Sequence, residues 1–378
     1  LKLLYLLGAG GVEYWRCRIP ALAMQKHGLA EIRIIERQHL SAKEMGEALA
    51  WCDVITVASP QGISSLVGLM KYRSLGKKVI VDYDDYILEV SPYNAAYRVI
   101  GLEEVYIEDT VTHEKSQLWK DGENGFDIKR NYMGLKAMKD ILNNVDMVTT
   151  TTLYLKEKWA AHMIDPSKIK VLPNGVDFAR WRNPFPKNHE GFRIGYVCSA
   201  SHAEDWMRVA PAIHYFLEKH KDAKLVVMGD VGFDLKGRIP ADQLEWHGWS
   251  DLLNGHYMLK VASLDLDVAI MPLEHNEFNR CKSPLKYVEM TAFGYPVIAE
   301  RTLPYTEDIV SGENGLLAGT TEEWLAALQR VYDSNELRLK MRFNALLTCR
   351  EWYDIDKVCF DWAKAYSETL GELIYAKS

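Results

Sequence analysis

Short runs of apolar residues recur through this chain, each followed by a glycine or polar break and then by a stretch with helical spacing. They fall at residues 3–7, 32–36, 54–58, 79–82 and 147–150, and again at 192–198, 225–228, 243–246, 268–271 and 297–299. Short runs of this kind, bounded by turn signals, read as strands, and strands alternating with helices build parallel, doubly wound sheets. Two such rounds predict two α/β domains. The chain's 378 residues, 48% of them hydrophobic, suffice for two cores.

The densest chemistry lies in residues 276–300, NEFNRCKSPLKYVEMTAFGYPVIAE. Ser283 followed by Pro284 predicts a helix start, with the serine oxygen capping a first-turn amide. Leu285, Val288 and Ala292 share one face, Gly294 ends the helix, and residues 296–299 begin a strand. Arg280 and Lys282 then flank a helix N-terminus, where free amides and the helix dipole favour an anion such as a phosphate. Lys286 and Glu289 follow Lys282 by four and seven residues along the same stripe, so the carboxylate could accept hydrogen bonds from a ribose. The same spacing fits a solvated helix with a Lys286/Glu289 surface pair.

Pro284, Leu285, Lys286, Glu289, Ala292, Gly294, Pro296, Val297, Ile298 and Ala299 together resemble the donor-site signature of the GT-B glycosyltransferases, in particular the family 4-like group. That resemblance implies an α/β GT-B fold: two Rossmann-like doubly wound domains face a central cleft, and a C-terminal helix crosses back to the first domain. It places an acceptor-side domain at 1–182, a nucleotide-sugar donor domain at 190–350 and a helical tail at 351–378. Glu289 would hold the nucleotide ribose, and residues 279–283, including Asn279 and Ser283, would hold the diphosphate and sugar. Lys286 belongs to the same donor set, with Arg280 and Lys282 stabilising the leaving diphosphate. The family has a second glutamate eight residues earlier. Here that position is Cys281.

Three further constellations carry expectations. Gly8, Gly10 and Gly11 follow a strand, and Glu36 ends the next strand, as in a dinucleotide fingerprint. The third fingerprint glycine is replaced by Glu13, and GT-B enzymes also place a glycine-rich loop, here Gly10 and Gly11, beside donor and acceptor. Arg16 resembles an arginine that faces the donor phosphates in several family 4-like enzymes, and a buried structural arginine is the alternative. Ser199, Ser201 and His202 open a helix after the first strand of the second round, where donor contacts are expected, with Ser201 and Glu204 at capping-box spacing. Asp82, Asp84 and Asp85 end the strand at 79–82. Three carboxylates there could orient an acceptor hydroxyl, act as a base, with Asp84 and Asp85 first in line, or hold a divalent cation. A simple Asx turn is the alternative.

Charge bears on partners. The formal net charge is −7, and the first 180 residues balance at 23 basic and 23 acidic side chains, so the second half holds the deficit. That is not the footprint of an obligate nucleic-acid binder, although basic stripes at Lys71, Arg73, Lys77 and Lys78 and at Lys129, Arg130, Lys136 and Lys139 read as solvated faces that could meet a polyanion. No run of about eighteen apolar residues predicts a membrane span. Six cysteines without C-x-x-C or zinc spacing predict a reduced, cytoplasmic protein without a structural metal. Residues 88–129 form a long irregular connection, suited to a binding loop or lid, and Asn183, Pro184, Pro186 and Asn188 read as the interdomain linker.

The expected function is transfer of a hexose from a UDP- or GDP-sugar to a hydroxyl, with retention, the acceptor being a saccharide or a hydroxymethylated DNA base. The nucleotide-sugar is a cosubstrate rather than a bound cofactor, and no divalent metal is expected. An NAD(P)-dependent oxidoreductase and a catalytically inactive GT-B-like binding protein are the rivals.

Overall fold

The computed structural model describes residues 1–8, 10–36, 41–108, 113, 115–181, 183, 189–199, 202–231, 235, 237–252 and 255–371. The chain divides into two compact units: Leu1–Gly175 with Cys281–Ser283 and Ile355–Ser378, and Val176–Arg280 with Pro284–Asp354.

The first unit is built on a parallel sheet of β1 (Lys2–Leu7), β2 (Glu31–Glu36), β3 (Val54–Ala58), β4 (Lys78–Asp82), β7 (Met147–Thr150) and β8 (Ile169–Val171), in the order β2-β1-β3-β4-β7-β8. β3 and β7 are buried at every position and β4 at all but Lys78, as parallel strands covered on both faces require. The helical path after β1 begins at Gly11 and passes through a π-helical segment, Tyr14–Arg18, before Ile19–Lys26. Such a widened turn inside a helix often marks a special local requirement. Here it lies at Arg16, described below.

Residues 83–127 are not an irregular loop throughout. They carry the antiparallel pair β5 (Val105–Glu108) and β6 (Lys115–Trp119). Stacked Tyr97, Trp119 and Phe126, with centroids 5.7–6.0 Å apart, fix the segment, and Trp119 Nε1 donates to the Pro92 carbonyl at 2.6 Å.

The second unit repeats the plan with β9 (Phe192–Cys198), β10 (Ala223–Gly229), β11 (Leu244–His247), β12 (Val268–Met271), β13 (Val297–Glu300) and β14 (Leu316–Ala318), all parallel, in the order β11-β10-β9-β12-β13-β14. β8 and β14, three residues each, are too short to stand out as apolar runs. The core gathers Trp206, Ile213 and Phe216 from the Ala203–Lys219 helix and Trp324, Leu328 and Val331 from the Thr321–Asp333 helix. The last helical region is two helices, Asn335–Trp352 in the second unit and Ile355–Leu370 in the first. Ser201 of the expected capping box and Pro184, Pro186 and Asn188 of the expected linker lie outside the described residues.

Candidate active site

Glu289 lies in the middle of the Leu285–Ala292 helix, 6% exposed, in the second unit. The helix ends at Gly294, whose φ of +76° is the left-handed geometry glycine adopts freely. Its start differs from the expectation. Pro284 takes the N-cap position and no side chain caps the helix. Ser283 instead accepts a hydrogen bond from Asn174 Nδ2 at 2.8 Å, so the first-turn amides are left without a side-chain acceptor.

Burial pushes the Glu289 carboxyl up to about 8, against the pull of the Lys286 ammonium and a hydrogen bond from the Tyr257 hydroxyl. Lys286, one turn earlier, has Nζ 3.2 Å from Nε2 of His202. The other ring nitrogen, Nδ1, lies 2.5 Å from Asp205 Oδ2. A carboxylate can only accept, so Nδ1 carries the hydrogen and Nε2 accepts from Lys286. Asp205 is fixed in turn: its Oδ1 accepts from the Glu274 amide at 2.7 Å and from Asn279 Nδ2 at 3.1 Å. The result is a line, Lys286–His202–Asp205–Asn279, that seats one ammonium beside a buried carboxyl. His202 begins the helix after β9, so the line lies at the carboxyl end of the second sheet, where open α/β sheets place ligands.

Two residues expected at the donor have other duties. Asn279 is 5% exposed and its amide spends both hydrogens on Asp205 and the Glu274 carbonyl, which makes it a support rather than a ligand contact. Arg280 ends the one-turn helix Glu277–Arg280 and pairs with Glu277 at 3.7 Å on an exposed face. Ser199 is exposed just after β9, and its carbonyl accepts from the His202 amide at 3.0 Å.

Beside this line lies a second polar group that sequence reasoning missed. Glu300, fully buried at the end of β13, accepts from Arg208 Nη2 and faces His275 Nε2, both at 3.0 Å. Its other oxygen is buried without a hydrogen-bond partner.

In the first unit, Arg16 is also fully buried. Its Nε and Nη2 grip Asp82 at 2.8–3.2 Å, its Nη1 donates to the Leu172 carbonyl at 2.7 Å and to Asn174 Oδ1 at 3.1 Å, and the guanidinium lies over Trp362 at 4.7 Å. The expectation that Arg16 faces donor phosphates is therefore corrected: with no exposed surface and its donors spent on partners in the same unit, it ties β1's helix to β4. Asp82 leaves the acceptor cluster for the same reason. Asp84 and Asp85 remain, partly exposed just beyond β4. Burial holds both carboxyls above the usual range, the charges of Asp85 and Asp82 push Asp84 further up, and Lys282 pulls Asp85 partly back. Lys282 and Ser283 group with the first unit, and Cys281, fully buried, packs in that unit's core with residues such as Tyr83 and Trp159.

The glycine loop is closed from within. Glu13 Oε1 accepts from the Gly8 amide at 3.2 Å, and a side chain at Gly10 would meet Glu13 Oε2 at 2.5 Å. Gly11 opens the following turn. A carboxylate in that loop repels a pyrophosphate, and Glu36 is paired with Arg18 at 2.9 Å, which removes the support for the dinucleotide reading. Among the described residues, no group of three or more His, Cys, Asp or Glu side chains is arranged to hold a metal, and no helix is long and apolar enough to cross a membrane.

Residues 191–334 match the family model described as glycosyl transferases group 1. No curated protein matches the chain in sequence. In structure it is similar to Anabaena HepE in complex with UDP and glucose, at a TM-score of 0.65 and 14% identity, covering 99% of this chain and 100% of that one. It is also similar to sucrose-phosphate synthase from Thermosynechococcus elongatus (TM-score 0.64, 14% identity, 98% and 99% covered) and to a glycosyltransferase from Rickettsia africae (0.64, 15%, 98% of each). Both units are Rossmann-like parallel-sheet domains, as in these GT-B structures. Residues 191–334 are thus a glycosyl transferases group 1 domain, and the chain that carries them has the GT-B fold.

Proposed function

We propose that this protein transfers a hexose from a UDP-linked donor to a saccharide hydroxyl with retention of anomeric configuration. The observation that carries the reading is Glu289, a buried carboxyl one turn beyond Lys286 on a helix whose first amides no side chain caps, at the carboxyl end of the second sheet. In its ionised form Glu289 accepts two ribose hydroxyls. Lys286, aimed by His202 and Asp205, and the helix start receive the diphosphate. UDP is favoured because HepE, similar in fold, was captured with UDP and with UDP-glucose; GDP is the alternative.

In the reaction the bond from the anomeric carbon to the diphosphate oxygen breaks, the acceptor oxygen bonds to that carbon on the same face, and the acceptor proton passes to a leaving phosphate oxygen. Negative charge grows on the diphosphate, and Lys286 stabilises it. Asp84 and Asp85 orient the acceptor hydroxyl, their raised affinity for protons suiting them to hold one. The comparisons lend no support to a modified-DNA acceptor.

The test is thermal stabilisation by UDP, GDP, ADP, TDP, CDP, NAD and NADP on wild type and Glu289→Ala. Stabilisation by UDP that disappears in the variant is the expected result. Stabilisation by NAD or NADP alone overturns the proposal. The configuration of the product's anomeric centre, read by proton NMR, decides between retention and an inverting route with Asp84 or Asp85 as base.

A further inference from the structure

A cavity of about 340 Å³ opens on the first unit between the start of the Gly62–Ser74 helix, the turn at Ile87 and the Ile128–Asn144 helix. Its size is that of a small-molecule pocket. The lining is dominated by Ile63, Ile87, Val99, Ile100, Met133 and Met138.

Gln61, Arg130 and Asn131 are the polar side chains of the lining. Asn131 is 2% exposed, and its Nδ2 donates to the carbonyls of Arg98 and Gly101 at 3.1 and 2.9 Å. Those two bonds fix which end of the amide is nitrogen. Its Oδ1 is buried with no hydrogen-bond partner. At the rim stand the exposed Arg130 and the first turn of the Gly62–Ser74 helix, which Gln61 leaves without a side-chain cap. Both disfavour a cationic ligand.

Ile87 is two residues beyond Asp85, at most about 7 Å of chain. The cavity therefore adjoins the carboxyl pair assigned above to the acceptor. We infer that this cavity receives the apolar part of the acceptor, which is an amphipathic, uncharged or anionic glycoside with an alkyl or aryl aglycone. The inference rests on the reading of Asp84 and Asp85 as the acceptor end.

Gly134 provides the test. It lines the cavity from within a helix, and an added Cβ meets no atom within 4 Å, so Gly134→Phe fills the space while improving helix propensity. Octyl and methyl β-glucoside, the former below its micelle concentration, are titrated by calorimetry into wild type and Gly134→Phe, with UDP stabilisation measured on both. We expect octyl glucoside to bind wild type at least about tenfold tighter than methyl glucoside, as burial of several methylenes requires. That preference disappears in Gly134→Phe while UDP stabilisation is unchanged. Equal binding of the two glucosides, no binding of either, or octyl binding retained in Gly134→Phe overturns the inference. Loss of UDP stabilisation from both proteins would overturn the donor reading instead, and the alkyl preference still decides the cavity. Should Gly134→Phe fail to fold, Met133→Glu, which places a charge on the lining, takes its place.

Discussion

Neither the guanidinium of Arg16 nor the carboxylate of Asp82 is exposed, and the two meet at 2.8–3.2 Å through Nε and Nη2. Removing one partner strands the other's charge in the core. Asp82→Ala is expected to cost about 3–5 kcal/mol in urea denaturation, and the paired change Arg16→Met with Asp82→Leu to recover most of it. A cost below about 1 kcal/mol for the single change would show that the pair does not anchor the unit.

On the proposed reading, Glu289 should make nucleotide binding pH-dependent. Its carboxyl is raised to about 8, from an ordinary value near 4.3. The stability gained from the neutral buried acid is fully present below the ordinary value and is lost as pH rises through about 8. If the ionised form holds the ribose, UDP binding below about pH 8 should release a proton. Affinity should climb by up to about tenfold per unit between pH 6 and 8 and then level off, while Glu289→Gln gives a flat profile. Calorimetry in buffers of different ionisation enthalpy counts the proton, and a wild-type profile as flat as the variant's would sink the assignment.

Lys286→Met should lower turnover about 10²- to 10³-fold, the loss typical of a group that meets charge developing in the transition state. The melting temperature should hardly move, because Lys286 is not in the core. Asp205→Asn is expected to lose less, since it only misdirects His202. Wild-type turnover in Lys286→Met would remove it from the mechanism.

Restoring the family's glutamate should not restore a sugar contact. Cys281 is fully buried among apolar side chains of the first unit's core, and Cys281→Glu is expected to destabilise by about 3–5 kcal/mol, the cost of an unpaired buried charge. Retained stability with a gain in activity would instead mean that this position opens to the donor.

What was legible in the sequence followed from local physics. The strands from Leu3, Val54, Phe192 and Val268 are continuous apolar runs, and the helix end at Gly294 is a glycine signal. Glu289 was marked by its spacing from Lys286. The partners that give these residues their properties were not legible, because they are distant in the chain: His202 lies 84 residues from Lys286, and Asp82 lies 66 from Arg16. The run 82–85 offers three equivalent aspartates to a reader, and only the buried arginine removes one of them. Ser283 and Pro284 are a standard helix start, yet Asn174, 109 residues away, claims the serine. Asp205 had a local signal, three residues after His202 on one helix face. Tyr257, Glu300 and Asn131 had none.

The Leu285–Ala292 helix also acts as a gauge. Lys286 and Glu289 are three residues apart on one rigid element, so the spacing between cation and carboxyl along the axis is set at about 4.5 Å by backbone geometry alone. No side-chain adjustment elsewhere can stretch it. A single residue inserted between them would swing Glu289 by about 100° around the axis and out of register with Lys286, whereas the same insertion in an exposed loop would pass unnoticed.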